Sequence, residues 1–245
     1  MRIIGALLAS LLVIRAEAAT MVAYTEDLPP YDFLMDGDIA GVSVELLQAM
    51  CAEAKIECPI KIQPWARSFR DVLNNPNTIL FSTARTPSRE SSFLWIGPIS
   101  QNLENVLYVR RDSPLRGASV QEVRGLRVGV VIGDSAADQM VRAGVTGVVF
   151  DPAPNVVSNV RKLMAGHIDL LPAQEVVMKW AVRAVGLNMQ EVRVLFPVGK
   201  AEDLYFAINP RSDPALVEAL RAAWAKIAAS PLPLEIRRRY LPDVK

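Results

Sequence analysis

The sequence predicts an α/β fold in which strands and helices alternate along the chain. Short apolar runs that end in polar or proline-containing loops recur, and most are followed by a stretch with apolar residues at helical spacing. Units of this kind form mixed, mostly parallel sheets covered by helices. The hydrophobic content of 51% is ample for a packed core. We therefore expect one large α/β domain or two small ones.

Residues 1–18 are predicted to be a secretory signal peptide. A basic residue, Arg2, precedes an apolar core over 3–14, and small residues follow at 16–18. Its removal takes away two of the 27 basic and one of the 26 acidic residues, which leaves 25 of each. This balance argues against a nucleic acid or an anionic membrane as partner. We expect an exported, periplasmic protein without a membrane-spanning segment.

The first part of the mature chain contains two strand–loop–helix units. An apolar strand at 21–24 runs into a loop rich in prolines and acids, and apolar residues at helical spacing then predict a helix over 42–55. A second strand at 60–62 ends at Pro64-Trp65, and a helix is predicted over 68–73.

Cys51 and Cys58 are the only cysteines in the sequence. In an exported protein an even count favours a disulfide, which for so short a loop contributes about 2 to 3 kcal/mol. Two buried free thiols are the alternative. A zinc site needs further ligands that the single histidine, His167, does not supply. We predict no metal and no cofactor.

Residues 79–99 give the clearest indication of a ligand-binding site. An apolar run at 79–81 predicts a buried strand, Ser82 follows it, and Arg85 and Arg89 flank a Thr-Pro-Ser turn that predicts a short helix from Ser88. A guanidinium beside free backbone N–H groups at a strand end suits a carboxylate, because it offers a planar two-pronged donor.

The same alternation of strands and helices recurs after a polar segment at 110–114. Strands are predicted at 105–109, 126–132, up to Phe150, 168–171 and 203–208, and helices at 120–123, from 137, and at 155–164, 214–229 and 234–240.

Four segments together resemble one protein family. They are residues 82–98, the PWAR segment at 64–67, GLRVGVVIGDSA at 125–136 and AGHIDLL at 165–171. The chain resembles a short variety of the periplasmic solute-binding proteins of family 3, the amino-acid-type substrate-capturing subunits of ABC importers. The resemblance implies a two-lobe, type II periplasmic-binding-protein fold and a monomer that delivers its ligand to a membrane permease.

The resemblance also implies a division of the chain into lobes. Residues 19–106 and 207–245 would form the first lobe, and 107–206 the second. Two crossing segments, near 105–109 and 204–208, would act as the hinge.

In the first lobe the resemblance and the residues point to six candidate ligand contacts. Thr86 to Arg89 match the family's carboxylate clamp, assisted by Ser82, whereas Arg85 could instead pair with Asp71 or Glu90. Trp65 is placed to cover an apolar or cationic ligand face, or it belongs to the core. Tyr31 and Glu26 lie on the loop where the family places a ring and an acidic group.

In the second lobe three residues are candidates. Ser135 lies in a Gly-Asp-Ser-Ala segment whose backbone amides could receive a carboxylate oxygen, although Asp134 or Ser135 could be only a helix cap. Gln174 occupies the position at which many members of the family carry the aspartate that binds an α-ammonium group. That departure puts an ordinary amino acid in doubt, unless Glu175 or Glu26 supplies the charge.

We therefore expect a binding protein that captures a small ligand with a carboxylate, such as an amino acid or a related organic acid. The alternatives on the same fold are a dehydratase-like enzyme, with Glu26 or Glu175 as acid or base, and a ligand-sensing module. The sequence shows neither a nucleophilic serine motif nor a metal-binding motif, so we predict no enzyme.

Overall fold

The computed structural model describes residues 19–100, 104–116, 120–200 and 202–241, so the predicted signal peptide lies outside the described residues. Within those ranges no helix combines the length and the apolar character needed to cross a membrane.

Twelve strands and seven α-helices make up the described fold. The strands are β1 (Val22–Thr25), β2 (Phe33–Met35), β3 (Asp38–Ala40), β4 (Ile60–Ile62), β5 (Thr78–Ala84), β6 (Leu94–Ser100), β7 (Glu104–Arg110), β8 (Arg127–Val131), β9 (Val149–Ala153), β10 (Leu171–Gln174), β11 (Val192–Lys200) and β12 (Leu204–Ile208). The helices are α1 (Val42–Ala54), α2 (Trp65–Asn74), α3 (Ala136–Arg142), α4 (Val156–Met164), α5 (Glu175–Ala184), α6 (Pro214–Ala228) and α7 (Leu232–Tyr240).

A five-stranded sheet has the order β4-β1-β5-β12-β6. Strands β4, β1 and β5 are parallel, and β12 is antiparallel to both of its neighbours. Ile79 and Phe81 of β5 pack with α1 and α6 on one face, and Leu80 packs with α2 on the other. Helices therefore cover both faces, because successive side chains of a strand point to opposite sides.

Strands β7 to β11 form what we call the second sheet group, and β2 and β3 form a separate hairpin. Strands β10, β7 and β11 form an antiparallel sheet, and β8 pairs in parallel with β9. A parallel bridge from Val128 to Leu170 joins the two parts. The chain enters the second sheet group between Ser100 and Glu104 and leaves it between Lys200 and Leu204.

The predicted α/β fold with mixed sheets is confirmed, but its antiparallel share is larger than expected. Part of the excess comes from strands that were not predicted, namely β2, β3, β6 and β11, and part from the antiparallel pairs β7–β10 and β5–β12. Helix α5 was also missed. The β2–β3 hairpin turns at Asp36-Gly37, and both residues have positive φ.

Several predicted boundaries were wrong. The short helix predicted from Ser88 is a 3-10 helix that begins two residues later, over Glu90–Ser92. Strand β9 continues past Phe150 to Ala153. Strand β10 begins at Leu171, where the prediction ended, and contains Pro172. An edge strand tolerates that proline, because its missing N–H is not needed for pairing.

Cys51 and Cys58 form the predicted disulfide, which links the end of α1 to the segment before β4.

Candidate ligand-binding site between the two sheet groups

A cavity of about 120 Å³ lies between the five-stranded sheet and the second sheet group. Both sides contribute at the ends of strands: Ser82 and Ala84 come from β5 and Leu204 from β12, whereas Asn105 comes from β7 and Gln174 from β10. The polar lining residues are Glu26, Trp65, Ser82, Arg89, Asn105, Asp134, Ser135, Gln174 and Glu202. The other nine lining residues are apolar, so polar and apolar residues contribute equally to the lining.

Arg89 is the central cation of this cavity. Its side chain is 8% exposed, and burial lowers its pKa, an effect that nearby acids oppose. Nη1 donates to the carbonyl of Ala84 at 3.3 Å and Nη2 to that of Gly133 at 3.0 Å. The guanidinium carbon lies 5.3 Å from the ring centroids of Trp65 and Phe69. Within the described ranges no carboxylate forms an ion pair with Arg89, so donors remain for a ligand.

The turn around Pro87 explains why Arg89 reaches the cavity. The amide of Arg89 donates to the carbonyl of Thr86 at 3.0 Å, which closes a tight turn directly after β5. Trp65, the first residue of α2, then holds the guanidinium from one side, and its Nε1 donates to the same Gly133 carbonyl at 2.8 Å.

Four carboxyl groups, those of Asp134, Asp138, Glu202 and Glu26, act on the Arg89 guanidinium at longer range. Burial raises the pKa of Glu26 well above its usual range, as do Asp32 and Asp134, whereas Arg89 lowers it. Burial also raises the pKa of Asp134 to about 6 and that of Asp32 to about 8. Because Glu26 and Asp134 line the cavity, the site combines one fixed cation with two carboxyl groups whose pKa values are raised by burial.

Asp32 is a fully buried residue that the sequence analysis did not select. Its two oxygens accept hydrogen bonds from Thr25 Oγ1, at 2.6 Å, and from Ser82 Oγ. Ser82, a predicted ligand contact, lines the cavity and has a φ of 55°. Its hydroxyl group donates a hydrogen bond to Asp32. The sequence offered only its place in the acid-rich loop after β1, since Thr25 and Ser82 lie 7 and 50 residues away from it.

Polar contacts also cross the cavity directly. The Tyr31 hydroxyl donates to Gln174 Oε1 at 2.9 Å, which places the buried Tyr31 ring behind the cavity wall. On the same side, the ring centroids of Phe33 and Trp180 lie 5.0 Å apart. Together with the two donors on Gly133, these contacts join the five-stranded sheet to the second sheet group.

The structure places two predicted contacts outside the cavity. Arg85 donates from Nε to Glu90 Oε2 at 2.7 Å and lies over the rings of Trp95 and Tyr205, so its scaffold alternative describes it. Glu175 forms an ion pair with Lys179 at 2.8 Å, and its side chain is 65% exposed. Neither residue lines the cavity.

The Gly-Asp-Ser-Ala segment reaches the cavity as expected, with one difference. Ser135 lines it, but the Ala136 amide already donates to Asp134 Oδ1 at 3.0 Å. Ser135 is the N-cap of α3 without a side-chain cap hydrogen bond, and because Asp134 already accepts from the Ala136 amide, fewer backbone amides are available than the sequence suggested. Among the described residues, no group of three or more His, Cys, Asp or Glu side chains is arranged to hold a metal.

The sequence matches a known protein family over most of its length. Residues 20–243 match the family described as bacterial extracellular solute-binding proteins, family 3. A comparison with curated proteins found no match.

Solved structures with the same fold are numerous. An ancestral arginine-binding protein bound to arginine superposes with a TM-score of 0.79 at 16% identity, covering 91% of this chain and 98% of that one. A periplasmic binding protein of Salmonella typhimurium with high arginine specificity gives 0.78 at 17% identity, covering 91% and 99%. A histidine kinase sensor domain similar to periplasmic binding proteins gives 0.80 at 20% identity, covering 91% and 96%.

Proposed function

This chain belongs to the bacterial extracellular solute-binding proteins of family 3, and we propose that it captures a small ligand with a carboxylate, an amino acid or a related organic acid. The carboxylate would bind Arg89. We further propose that a cleaved signal peptide at residues 1–18 directs the protein to the periplasm, and that it works there as a monomer delivering its ligand to the permease of an ABC importer.

The observation that carries the proposal is the guanidinium of Arg89, buried in the cavity without an ion pair among the described residues. A buried cation is costly unless an anion accompanies it. Arg89 uses two donors on backbone carbonyls and keeps others for a planar, bidentate acceptor. The protein's own carboxyl groups act on the guanidinium only at longer range, whereas a carboxylate on a small ligand would accept directly from the remaining donors.

We propose that the two sheet groups act as lobes that close on the ligand, with the hinge at the two chain crossings. Hydrogen bonds from Tyr31 to Gln174 and from Trp65 and Arg89 to Gly133 cross the cavity, and each contributes only about 0.5 to 3 kcal/mol net, most for the charged guanidinium. A ligand that touches both sides would therefore add enough to shift the population from open to closed.

A sensing role and an enzymatic role are the two alternative functions. Similarity to a histidine kinase sensor domain favours a sensing role as the second candidate, although that similarity concerns the fold alone. An enzymatic role would need turnover at Glu26, the one predicted acid or base that lines the cavity. Product analysis after incubation of the protein with prephenate-like and arogenate-like acids would detect it, and we expect no product.

The proposal is tested by identifying what the protein binds. Mass spectrometry of small molecules released on denaturation, together with a thermal-shift screen of amino and organic acids, should reveal a carboxylate compound. The methyl ester of the same compound is the control, since it keeps the shape and loses the charge. Equal stabilisation by acid and ester would contradict the role assigned to Arg89.

A further inference from the structure

The phenol of Tyr31 fixes the orientation of the Gln174 amide at the cavity wall. Tyr31 is fully buried, forms a side-chain hydrogen bond with Ser100 and donates its hydroxyl proton to Gln174 Oε1 at 2.9 Å. Burial raises the pKa of Tyr31 to about 12, so the phenol keeps this proton near neutral pH. Because Oε1 is turned toward Tyr31, the group of Gln174 left for a ligand is its NH₂, which only donates.

The neighbour of Gln174 across the strand pair offers the complementary group. Asn105 is its register partner between β7 and β10 and also lines the cavity. The Nδ2 of Asn105 donates to Gln139 Oε1, which leaves the amide oxygen of Asn105 as an acceptor. The wall therefore presents one neutral donor and one neutral acceptor.

Glu26, Asp134 and Glu202 line the same cavity, but among the described residues no carboxyl group forms a hydrogen bond with either amide. Glu175, which follows Gln174, is exposed and paired with Lys179. Gln174 is also the N-cap of α5, and the N–H groups of that first turn carry partial positive charge. An ammonium group here would face donors, whereas a hydroxyl group could accept from Gln174 and donate to Asn105.

Gln174 is close to the place where Arg89 would hold a carboxylate. Strands β8 and β10 are linked by the parallel bridge from Val128 to Leu170, so their carboxyl ends meet at one edge, about 4.8 Å apart. Gly133, which accepts from Arg89, follows β8, and Gln174 ends β10. A substituent on the carbon next to the carboxylate is therefore within reach of Gln174.

We propose that Gln174, oriented by Tyr31, is a specificity-determining residue that selects a hydroxyl over an ammonium group on the carbon next to the ligand carboxylate. The ligand class is then the 2-hydroxy acids. This inference rests on the proposed function, because it assumes a carboxylate bound at Arg89.

The experiment compares matched pairs of probes by isothermal titration calorimetry. Each pair consists of an L-amino acid and the L-2-hydroxy acid with the same side chain, titrated into the mature protein and two variants. Gln174→Glu replaces the donor by a carboxylate of equal size. Gln190→Glu is the control, because it makes the same exchange at an exposed position outside the cavity.

For the tightest pair, we expect the wild type to bind the hydroxy acid at least about tenfold more tightly than the amino acid. Gln174→Glu should reduce this ratio at least about tenfold, and Gln190→Glu should leave it unchanged. The ratio is informative because repulsion of the shared carboxylate affects both probes equally. Tyr31→Phe releases the Gln174 amide and should also reduce the ratio, which keeps the test decisive if Gln174→Glu fails to fold.

A wild-type preference for the amino acids, or a ratio unchanged in Gln174→Glu or Tyr31→Phe, would overturn the inference while the proposed function stands. If no acid of either series binds, the proposed function fails, and the inference fails with it.

Discussion

Replacing Arg89 by alanine should weaken ligand binding about 30-fold or more. The guanidinium donates to Ala84 and Gly133 and keeps further N–H groups for the ligand, in a cavity where it is 8% exposed. Removing one member of a buried, charge-assisted pair costs about 2 to 5 kcal/mol, and 1.4 kcal/mol corresponds to a factor of ten in the dissociation constant. The lower bound of 2 kcal/mol gives the factor of about 30.

The assay is isothermal titration calorimetry with the tightest acid from the screen, on variants whose folding is checked by thermal unfolding. Arg85→Ala is the matched control, because it removes an arginine four residues earlier that pairs with Glu90 outside the cavity. It should bind the acid as the wild type does. Arg89→Lys should restore only part of the affinity, since an ammonium cannot form the two-pronged contact.

Unchanged affinity in a folded Arg89→Ala variant would refute this reasoning. An equal loss in Arg89→Ala and Arg85→Ala would refute it as well, because the effect would then follow total charge and not the cavity.

Two further predictions concern the disulfide and the buried Asp32. The disulfide between Cys51 and Cys58 should leave no titratable thiol in denaturant without reductant, so finding two thiols per chain would reject it. Burial raises the pKa of Asp32 to about 8, against about 3.9 in an unfolded chain, so between these values the folded protein binds more protons than the unfolded one. Stability should then fall as pH rises from about 5 to 8, by up to about 1.4 kcal/mol per pH unit from this group. Asp32→Asn should flatten that dependence in urea unfolding at pH 5.5, 6.5 and 7.5, and parallel profiles for wild type and variant would count against the assigned shift.

The alternation of strands and helices could be predicted from the sequence because it depends on local apolar spacing. The periodicity that placed α1 and α6 is a property of a few consecutive residues. Strands β6 and β11 were missed because each contains a proline and a glycine, which locally indicate a turn, and only pairing with β12 and β7 keeps them extended. Pro172 looked like the end of a strand, and only its edge position explains why it lies within one.

The candidate site could be predicted in part. Arg89 and Arg85 have similar local surroundings in the sequence, and the distinction between them arises from tertiary contacts, Gly133 for one and Glu90 for the other. Adjacent Gln174 and Glu175 likewise separate because a helix begins between them, so that one lines the cavity and the other faces solvent. Asp32 was missed because burial, which the sequence does not state, is what changes its chemistry.

Small-angle X-ray scattering tests directly whether the protein captures a carboxylate ligand between two lobes. The mature protein is measured alone and with a saturating concentration of the acid identified by the screen, and Arg89→Ala is measured at the same concentrations. Closure of the lobes on the ligand should reduce the radius of gyration of the wild type, and that of Arg89→Ala should stay unchanged. Tight binding to the wild type without any compaction would contradict this expectation, because the ligand would then lie within one lobe.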